Sequence, residues 1–156
     1  MKKIFGIAFI CLFIDQVSKL LITTIFNLHH GLTIIPSFFS IIRVHNTGAA
    51  WSILSDNTFL LILLSVIALI VIYLVFIKNQ NLKKHEEIAY GVLIGGILGN
   101  LIDRIIRGYV VDFLDFQIFK YNFPVFNFAD IFIVVSVIVI LLFQLGGKKD
   151  ENNQNN

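Results

Sequence analysis

Apolar residues are gathered into four long runs that are separated by more polar connections. A helix needs about 20 apolar residues to cross the hydrocarbon core of a bilayer. The runs of this length are Ile4–Phe26, Phe59–Ile77, Ile88–Ile106 and Phe126–Leu145. The second and fourth are almost purely apolar, whereas charged and amide residues interrupt the first and third. The pattern predicts an all-α membrane protein with four transmembrane helices, in a single domain over residues 1–147.

The two longer connections, residues 27–58 and 107–125, have patterns of their own. Residues 32–45 are rich in β-branched and aromatic side chains, which predicts short strands broken at Pro36. Residues 109–126 hold seven Phe or Tyr residues, a composition typical of a segment in the membrane interface. Such a segment is also a candidate cover that excludes bulk water from a site beneath it.

Lysine residues indicate the orientation of the spans. Lysine pairs or clusters precede the first span, fill the short loop and follow the fourth span: Lys2, Lys3, Lys78, Lys83, Lys84, Lys148 and Lys149. With an even number of spans these clusters share one side, which the positive-inside rule makes cytoplasmic. We therefore expect both termini in the cytoplasm, the long connections outside it, and a short, polar, disordered tail at residues 148–156.

The composition supports a membrane location and argues against nucleic-acid binding. Hydrophobic residues make up 57% of the chain and charged residues 14%, against roughly 25% charged in soluble domains. The formal net charge is only +2, and the basic residues form no stripe with interleaved aromatic side chains.

Polar groups inside the spans are costly and mark a function or a paired structural role. Asp15 and Lys19 share a face of the first span because they are four residues apart. We expect a structural ion pair, with direct substrate contact as the alternative. In the third span, glycines at every fourth position from Gly91 to Gly99 predict close helix packing. Asn100, Asp103 and Arg104 follow on one face, near the outer end.

Two more carboxylates are predicted at the same depth. Asp130 falls in the first turn of the fourth span, beside Asn127, where a carboxylate is also stabilising as a helix cap. Asp112 stands just after the third span, in a strand-like run of hydrophobic residues. Polar groups from three spans thus converge near the outer surface, as expected for an active site in a helix bundle.

The chemistry of such a site is narrowed by what the sequence lacks. Position 89 is Ala, so His85 does not begin an H-E-x-x-H zinc motif, and no G-x-S-x-G sequence is present. His29, His30 and His45 have no common zinc spacing and remain a weaker alternative. Carboxylates remain, and two of them that share one proton can hydrolyse an amide without metal or cofactor. Spacing does not choose among Asp103, Asp112, Asp115 and Asp130.

Five blocks of sequence carry a family resemblance: Asp15–Lys19, Val44–Trp51, Gly95–Arg104, Val110–Phe113 and Phe126–Asp130. In this order, and over nearly the whole chain, they resemble lipoprotein signal peptidase, also called signal peptidase II. The resemblance implies four transmembrane helices, a small extracytoplasmic β-cradle and a mobile interfacial helix.

The resemblance also implies site residues and a substrate. The catalytic aspartates fall on Asp112 and Asp130. Positions that bind substrate or support this pair fall on Asn46, Gly48, Asn100, Arg104 and Asn127. The implied substrate is a diacylglyceryl-modified prolipoprotein that is cut before its lipidated cysteine, in the bacterial cytoplasmic membrane. The implied inhibitor is the cyclic peptide globomycin.

Two other function classes are weighed against this one. A small ion-coupled transporter would line a path with Asp15, Lys19, Asp103 and Arg104, but the inner halves of the spans are apolar. A non-catalytic membrane scaffold would use the glycine face for assembly and would not need Asp112 or Asp130.

Overall fold

The computed structural model describes residues 1–48, 54–55, 57–78, 80–119 and 121–154. Its helices are α1 (Lys2–Ile25), α2 (Thr58–Val71), α3 (Lys84–Arg107) and α4 (Phe128–Gln154). Its strands are β1 (Gly31–Ile35), β2 (Phe39–Asn46), β3 (Val110–Ile118) and β4 (Tyr121–Asn122). The fold is therefore mostly helical, with a small sheet inserted between the helices along the chain.

The four predicted spans are confirmed, with two local differences. Four helices are long and apolar enough to cross a membrane. After α2 the chain continues as a π-helical segment, Ile72–Ile77, which ends where the Lys78 N–H donates to the Tyr73 carbonyl at 2.7 Å. No glycine or proline lies in this segment, so no sequence signal marks it. The predicted disorder after residue 147 is wrong for the backbone through Gln154, because α4 continues to that residue.

Helix α3 is the centre of the bundle and packs against the three other helices. The predicted glycine face makes this possible. A Cβ on Gly95 would lie 2.7 Å from the Ala8 carbonyl oxygen of α1. On a neighbouring face, a Cβ on Gly96 would lie 2.7 Å from the Ala129 carbonyl oxygen of α4. Bare backbone on both faces therefore lets α1 and α4 approach α3 closely.

The strands form an antiparallel sheet in the order β1-β2-β3-β4. The predicted break at Pro36 is confirmed, since the chain turns between β1 and β2 through Ser37, which has a φ of 60°. Residues 109–126, which the sequence predicts to lie in the membrane interface, are largely strand. In the described parts of the two longer connections there is no interfacial helix; residues 49–53, 56 and 120 lie outside the description.

The sheet packs on the C-terminal end of α1 and the N-terminal end of α4. Val111 and Phe113 of β3 are buried against Ile22 of α1, and Phe113 meets the Phe128 ring of α4 edge to face at 5.4 Å. At the opposite end of the bundle, Lys3 at the start of α1 pairs with Glu87 at the start of α3 at 3.6 Å. The polar side chains of the candidate site lie at the sheet end of the bundle.

Candidate active site

Asp112 is held by two amide groups. It lies in β3, where the first five residues of the strand, Val110–Leu114, are all buried, and it pairs with Val44 of β2. Its side chain is only 2% exposed. The Asn46 Nδ2 donates to Oδ2 at 2.9 Å, and the Asn127 Nδ2 donates to Oδ1 at 2.6 Å. Both carboxylate oxygens are therefore bound, as a buried polar group requires.

Asp130 lies in the first turn of α4 and is half-buried. Its Oδ2 accepts the Asn127 backbone N–H at 3.1 Å, while the Asn127 Oδ1 accepts the Asp130 N–H at 3.1 Å. This reciprocal pair is a capping box, so the capping role considered from sequence is present. The other oxygen, Oδ1, accepts the Asn100 Nδ2 at 2.7 Å. Asp130 thus both caps α4 and faces the polar cluster.

Asn127 and Asn100 form an amide bridge between the two carboxylates. The Asn127 Nδ2, besides binding Asp112, donates to the Asn100 Oδ1 at 3.1 Å. The Lys19 Nζ donates to the same Asn100 oxygen at 3.0 Å. Because an ammonium only donates, Lys19 fixes which end of the Asn100 amide is oxygen and directs the NH₂ group at Asp130.

A fully buried charged network supports this bridge. Lys19 lies 2.8 Å from Asp15 and 3.2 Å from Asp103, and all three side chains are 0% exposed. The Asp15 Oδ1 accepts the Ala129 N–H at 2.9 Å, and the Asp103 Oδ2 accepts the Val111 N–H at 3.1 Å. The network therefore fixes the backbone of Ala129, next to Asp130, and of Val111, next to Asp112. This burial favours the structural role for Asp15 and Lys19 over direct substrate contact.

Two members of the network are missed by the sequence reasoning. The Gln16 Nε2 bridges Asp15 and Asp103, at 3.2 Å from each, and also reaches the Gly99 carbonyl. Arg107 pairs with Asp103 at the surface edge of the network. The available signals were an amide within an apolar span and an i, i+4 spacing of opposite charges.

Arg104 and Gly48 form one wall of the site. The Asn46 Oδ1 accepts the Gly48 N–H at 2.9 Å, which curls the end of β2 towards Asp112. The Arg104 Nη2 donates to the Gly48 carbonyl at 3.0 Å. Within the described part of the chain, the buried Arg104 Nε has no hydrogen-bond partner. An unsatisfied buried donor beside two carboxylates fits a hydrogen bond to a substrate carbonyl.

The environment of Asp112 favours its protonated form. Burial raises the pKa of the Asp112 carboxyl to about 7, and the nearby Asp130 carboxylate adds to the rise. Asp112 is therefore protonated below neutral pH.

The other candidates lie apart from this centre. Asp103 is committed to Lys19, Arg107 and Val111. Asp115 pairs in register with Ser40 and, three residues from Asp112, points to the opposite face of β3. His45 stacks on the Tyr109 ring at 3.7 Å and accepts from the Arg43 guanidinium. Burial and the adjacent Arg43 lower the pKa of His45. Among the described residues there is no group of three His, Cys, Asp or Glu side chains placed to hold a metal.

Comparisons with known proteins identify the family of this chain. The family model described as signal peptidase (SPase) II matches residues 7–145. The lipoprotein signal peptidase of Staphylococcus haemolyticus (strain JCSC1435) is 39% identical over 95% of this chain and 92% of its own length. That of Staphylococcus aureus (strain JH9) is 39% identical over 95% of this chain and 89% of its own.

Solved structures show the same fold. A bacterial membrane enzyme determined at 2.3 Å by the in meso method aligns with a TM-score of 0.88 and 36% identity, over 96% of this chain and 92% of that one. A second, at 1.9 Å, aligns with a TM-score of 0.82 and 37% identity, over 93% and 94%. The chain therefore belongs to the signal peptidase II family of membrane-embedded aspartic peptidases.

Proposed function

We propose that the protein removes the signal peptide from diacylglyceryl-modified prolipoproteins, cutting before the lipidated cysteine with Asp112 and Asp130 as the catalytic pair. The observation that most supports this proposal is the amide bridge between the two carboxylates. Asn127 and Asn100 hold one carboxylate each and are themselves hydrogen-bonded, so both carboxylates converge on one small site. Helix capping alone would not require Asp112.

The pair is suited to bind one proton between them. With its pKa raised to about 7, Asp112 is suited to hold this proton when the reaction begins. The proton belongs to the pair and moves between its members during the reaction. Two nearby carboxylates do not ionise together at low cost, which stabilises this singly protonated form.

Hydrolysis then needs one water molecule. The water oxygen attacks the scissile carbonyl carbon while Asp130 takes a proton from the water. At the same time Asp112 gives its proton to the carbonyl oxygen. The tetrahedral diol collapses when Asp130 returns its proton to the leaving nitrogen and a diol hydroxyl reprotonates Asp112. The C–N bond breaks, the products are an acid and an amine, and the pair is restored. The free Arg104 N–H is positioned to hold a substrate carbonyl.

The location of the pair suits a substrate anchored in lipid. Asp112 and Asp130 lie at the sheet end of the helices, whereas Lys2, Lys3, Lys83 and Lys84 lie at the other end. With the lysine end in the cytoplasm, the pair acts at the extracytoplasmic face of the bacterial membrane. There the diacylglyceryl chains of the substrate remain in the bilayer while its peptide reaches the site.

No observation favours the transporter or scaffold alternatives. The inner half of the bundle is an apolar cluster around Ile4, Ala8 and Ile94, so the polar network does not continue across the membrane. The carbonyl or charged side-chain rings that select ions in channels are absent from this apolar cluster.

The test uses purified protein and a diacylglyceryl-modified prolipoprotein, with cleavage followed as a gel shift. We expect Asp112→Asn and Asp130→Asn each to lower the rate by about 10³-fold or more. Asp115→Asn, which removes a carboxylate from the opposite face of β3, is the matched control and should cleave at the parent rate. Substantial activity in either dyad variant would rule out this pair.

Three additions sharpen the test. A precursor without diacylglycerol should remain uncut, and globomycin should block cleavage of the modified one. A chelator should leave the rate unchanged, whereas loss of activity on chelation would revive the histidines as metal ligands.

A further inference from the structure

The far end of the sheet holds a second cavity, separate from the catalytic pair. It has a volume of about 490 Å³, within the range of small-molecule sites. Its polar lining includes Thr33, Ser40 and Asp115, which are register neighbours across β1, β2 and β3. The Ser40 Oγ lies 3.4 Å from the Thr33 Oγ1. Phe38 and Phe123 form aromatic walls.

The Asp115 carboxylate is the charged group of this cavity. It is half-buried, and no basic side chain among the described residues lies within ion-pair distance of it. The cavity therefore offers one negative charge, hydroxyl groups and aromatic faces. Together these groups suit an ammonium, which is attracted to a carboxylate and to ring faces.

The direction of the sheet identifies what can reach the cavity. Asp112 and Asp115 point to opposite faces of β3, so the cavity does not open beside the dyad. Two residues before Asp115, on its own face, Phe113 is packed on Ile22 of α1 and Phe128 of α4. Asp115 is therefore about 7 Å along the strand from a residue that contacts the helix ends. A cavity this close to the ends of membrane-spanning helices is within reach of lipid headgroups.

Exposed apolar residues lie in the wall of the cavity or within two residues of its lining along the chain. Phe119 in the hairpin between β3 and β4 is 100% exposed, Ile35 at the end of β1 is 48% exposed, and Phe38 is 44% exposed. Aromatic and aliphatic side chains of this kind are stabilised at the membrane surface. They would hold the cavity against the headgroup layer.

We propose that this cavity binds the headgroup of a phospholipid that carries an ammonium. The ammonium lies against Asp115, and the hydroxyl groups of Thr33 and Ser40 donate to the phosphate oxygens of the same headgroup. An anionic lipid without an ammonium is repelled by Asp115. The site thus makes the distal end of the sheet selective for lipid composition, independently of the peptidase reaction.

Quenching of tryptophan fluorescence by brominated lipids tests this selectivity. The reference protein for this experiment and its controls, called the parent here, is the double variant Trp51→Phe and Phe38→Trp. Its one tryptophan therefore stands in the aromatic wall of the cavity. In bilayers that mix phosphatidylethanolamine and phosphatidylglycerol, with either one brominated, we expect ethanolamine lipid to be enriched about two- to fivefold at this tryptophan.

Asp115→Asn in that parent should bring the ratio to about one, because the amide no longer selects a cation. Glu87→Gln makes the same charge change at the other end of the bundle and should leave the enrichment as it was. Equal quenching by both lipids in the parent, or enrichment that persists in Asp115→Asn, would overturn the proposal.

A substrate assay separates the lipid from another cationic occupant. Precursors with lysine or glutamate a few residues after the lipidated cysteine should keep the same rate ratio in Asp115→Asn as in the parent. If that ratio changes while lipid enrichment does not, the cavity binds substrate and the lipid proposal is wrong. Because Asp115 is outside the dyad, failure of this test leaves the peptidase proposal standing.

Discussion

Helices α2 and α3 pack against each other but have opposite characters. The most apolar window of α2 and its π-helical continuation has a mean hydropathy of 3.4 and is 11% buried, whereas that of α3 has a mean hydropathy of 1.4 and is 61% buried. In a soluble protein the more apolar helix would be the buried one. Here the bilayer solvates apolar side chains, so the helix that carries amides, charges and glycines takes the centre. The proposed catalytic pair is hydrogen-bonded to the buried, polar helix through Asn100.

Among substitutions that test this difference between the helices, Lys19→Met should have the largest effect on stability and cleavage. The substitution leaves Asp15 and Asp103 without their shared cation in a fully buried site. Removing one partner of a buried ion pair costs about 3–5 kcal/mol. We expect a loss of this size in the free energy of unfolding in detergent, together with loss of cleavage because Asn100 is no longer oriented.

The control for this change is Lys3→Met, which removes the same charge from an exposed pair with Glu87. Its stability should be close to that of the parent. A small effect of Lys19→Met, equal to that of Lys3→Met, would contradict the role given to the buried network.

The next largest effect is expected from adding one methyl group at Gly99. A Cβ there would lie 2.5 Å from the Asp15 Oδ2 and 3.2 Å from the Ala129 Cβ. We expect Gly99→Ala to lower the free energy of unfolding by about 1–3 kcal/mol, as overpacking does. The cleavage rate should fall too, since Asp15 positions Ala129 beside Asp130.

Gly6→Ala is the matched control, because nothing lies within 4 Å of the added methyl group. Alanine is the better helix former by about 1 kcal/mol, so this variant should be neutral or slightly more stable. Equal effects at Gly6 and Gly99 would show that close packing on α3 is not what places Asp15.

The pH dependence of cleavage tests the polar part of the molecule alone, because α2 carries no charged residue. Asp112 must be protonated to donate, and its pKa is about 7. As pH rises through this value the carboxyl loses its proton, so kcat/KM should fall, approaching tenfold per pH unit well above it. A rate unchanged from pH 6 to 9 would contradict Asp112 as the acid.

The smallest effect is expected on the exposed face of α2. Leu64 is 47% exposed in the chain and faces lipid in the bilayer. Leu64→Ala should change the free energy of unfolding by less than about 0.5 kcal/mol, because no protein cavity is created. A large loss would indicate that this face is covered by protein in the native membrane.

Much of the fold could be predicted because the bilayer imposes a simple rule on length and polarity. The rule predicts the four spans and the close packing at the glycine face of α3, and both are confirmed. The strands on either side of Pro36, predicted from β-branched and aromatic residues, are confirmed too. The π-helical end of α2 could not be predicted, since Ile72–Ile77 has the same aliphatic and aromatic character as the helix before it. The helical backbone after residue 147 was missed because a polar composition was taken as a sign of disorder.

The sequence by itself determined the depth at which polar residues gather, because a charge in a span must find a partner near its own level. It did not determine which atoms meet. Asp103 and Asp112 are both aspartates and are nine residues apart, yet Asp103 is neutralised by Lys19 and Arg107, whereas the hydrogen bonds that Asp112 accepts come from the amides of Asn46 and Asn127. Only the packing of α1, α3, α4 and the sheet decides this. A carboxylate's charge and protonation depend on the partners that surround it in space, and those come from distant parts of the chain.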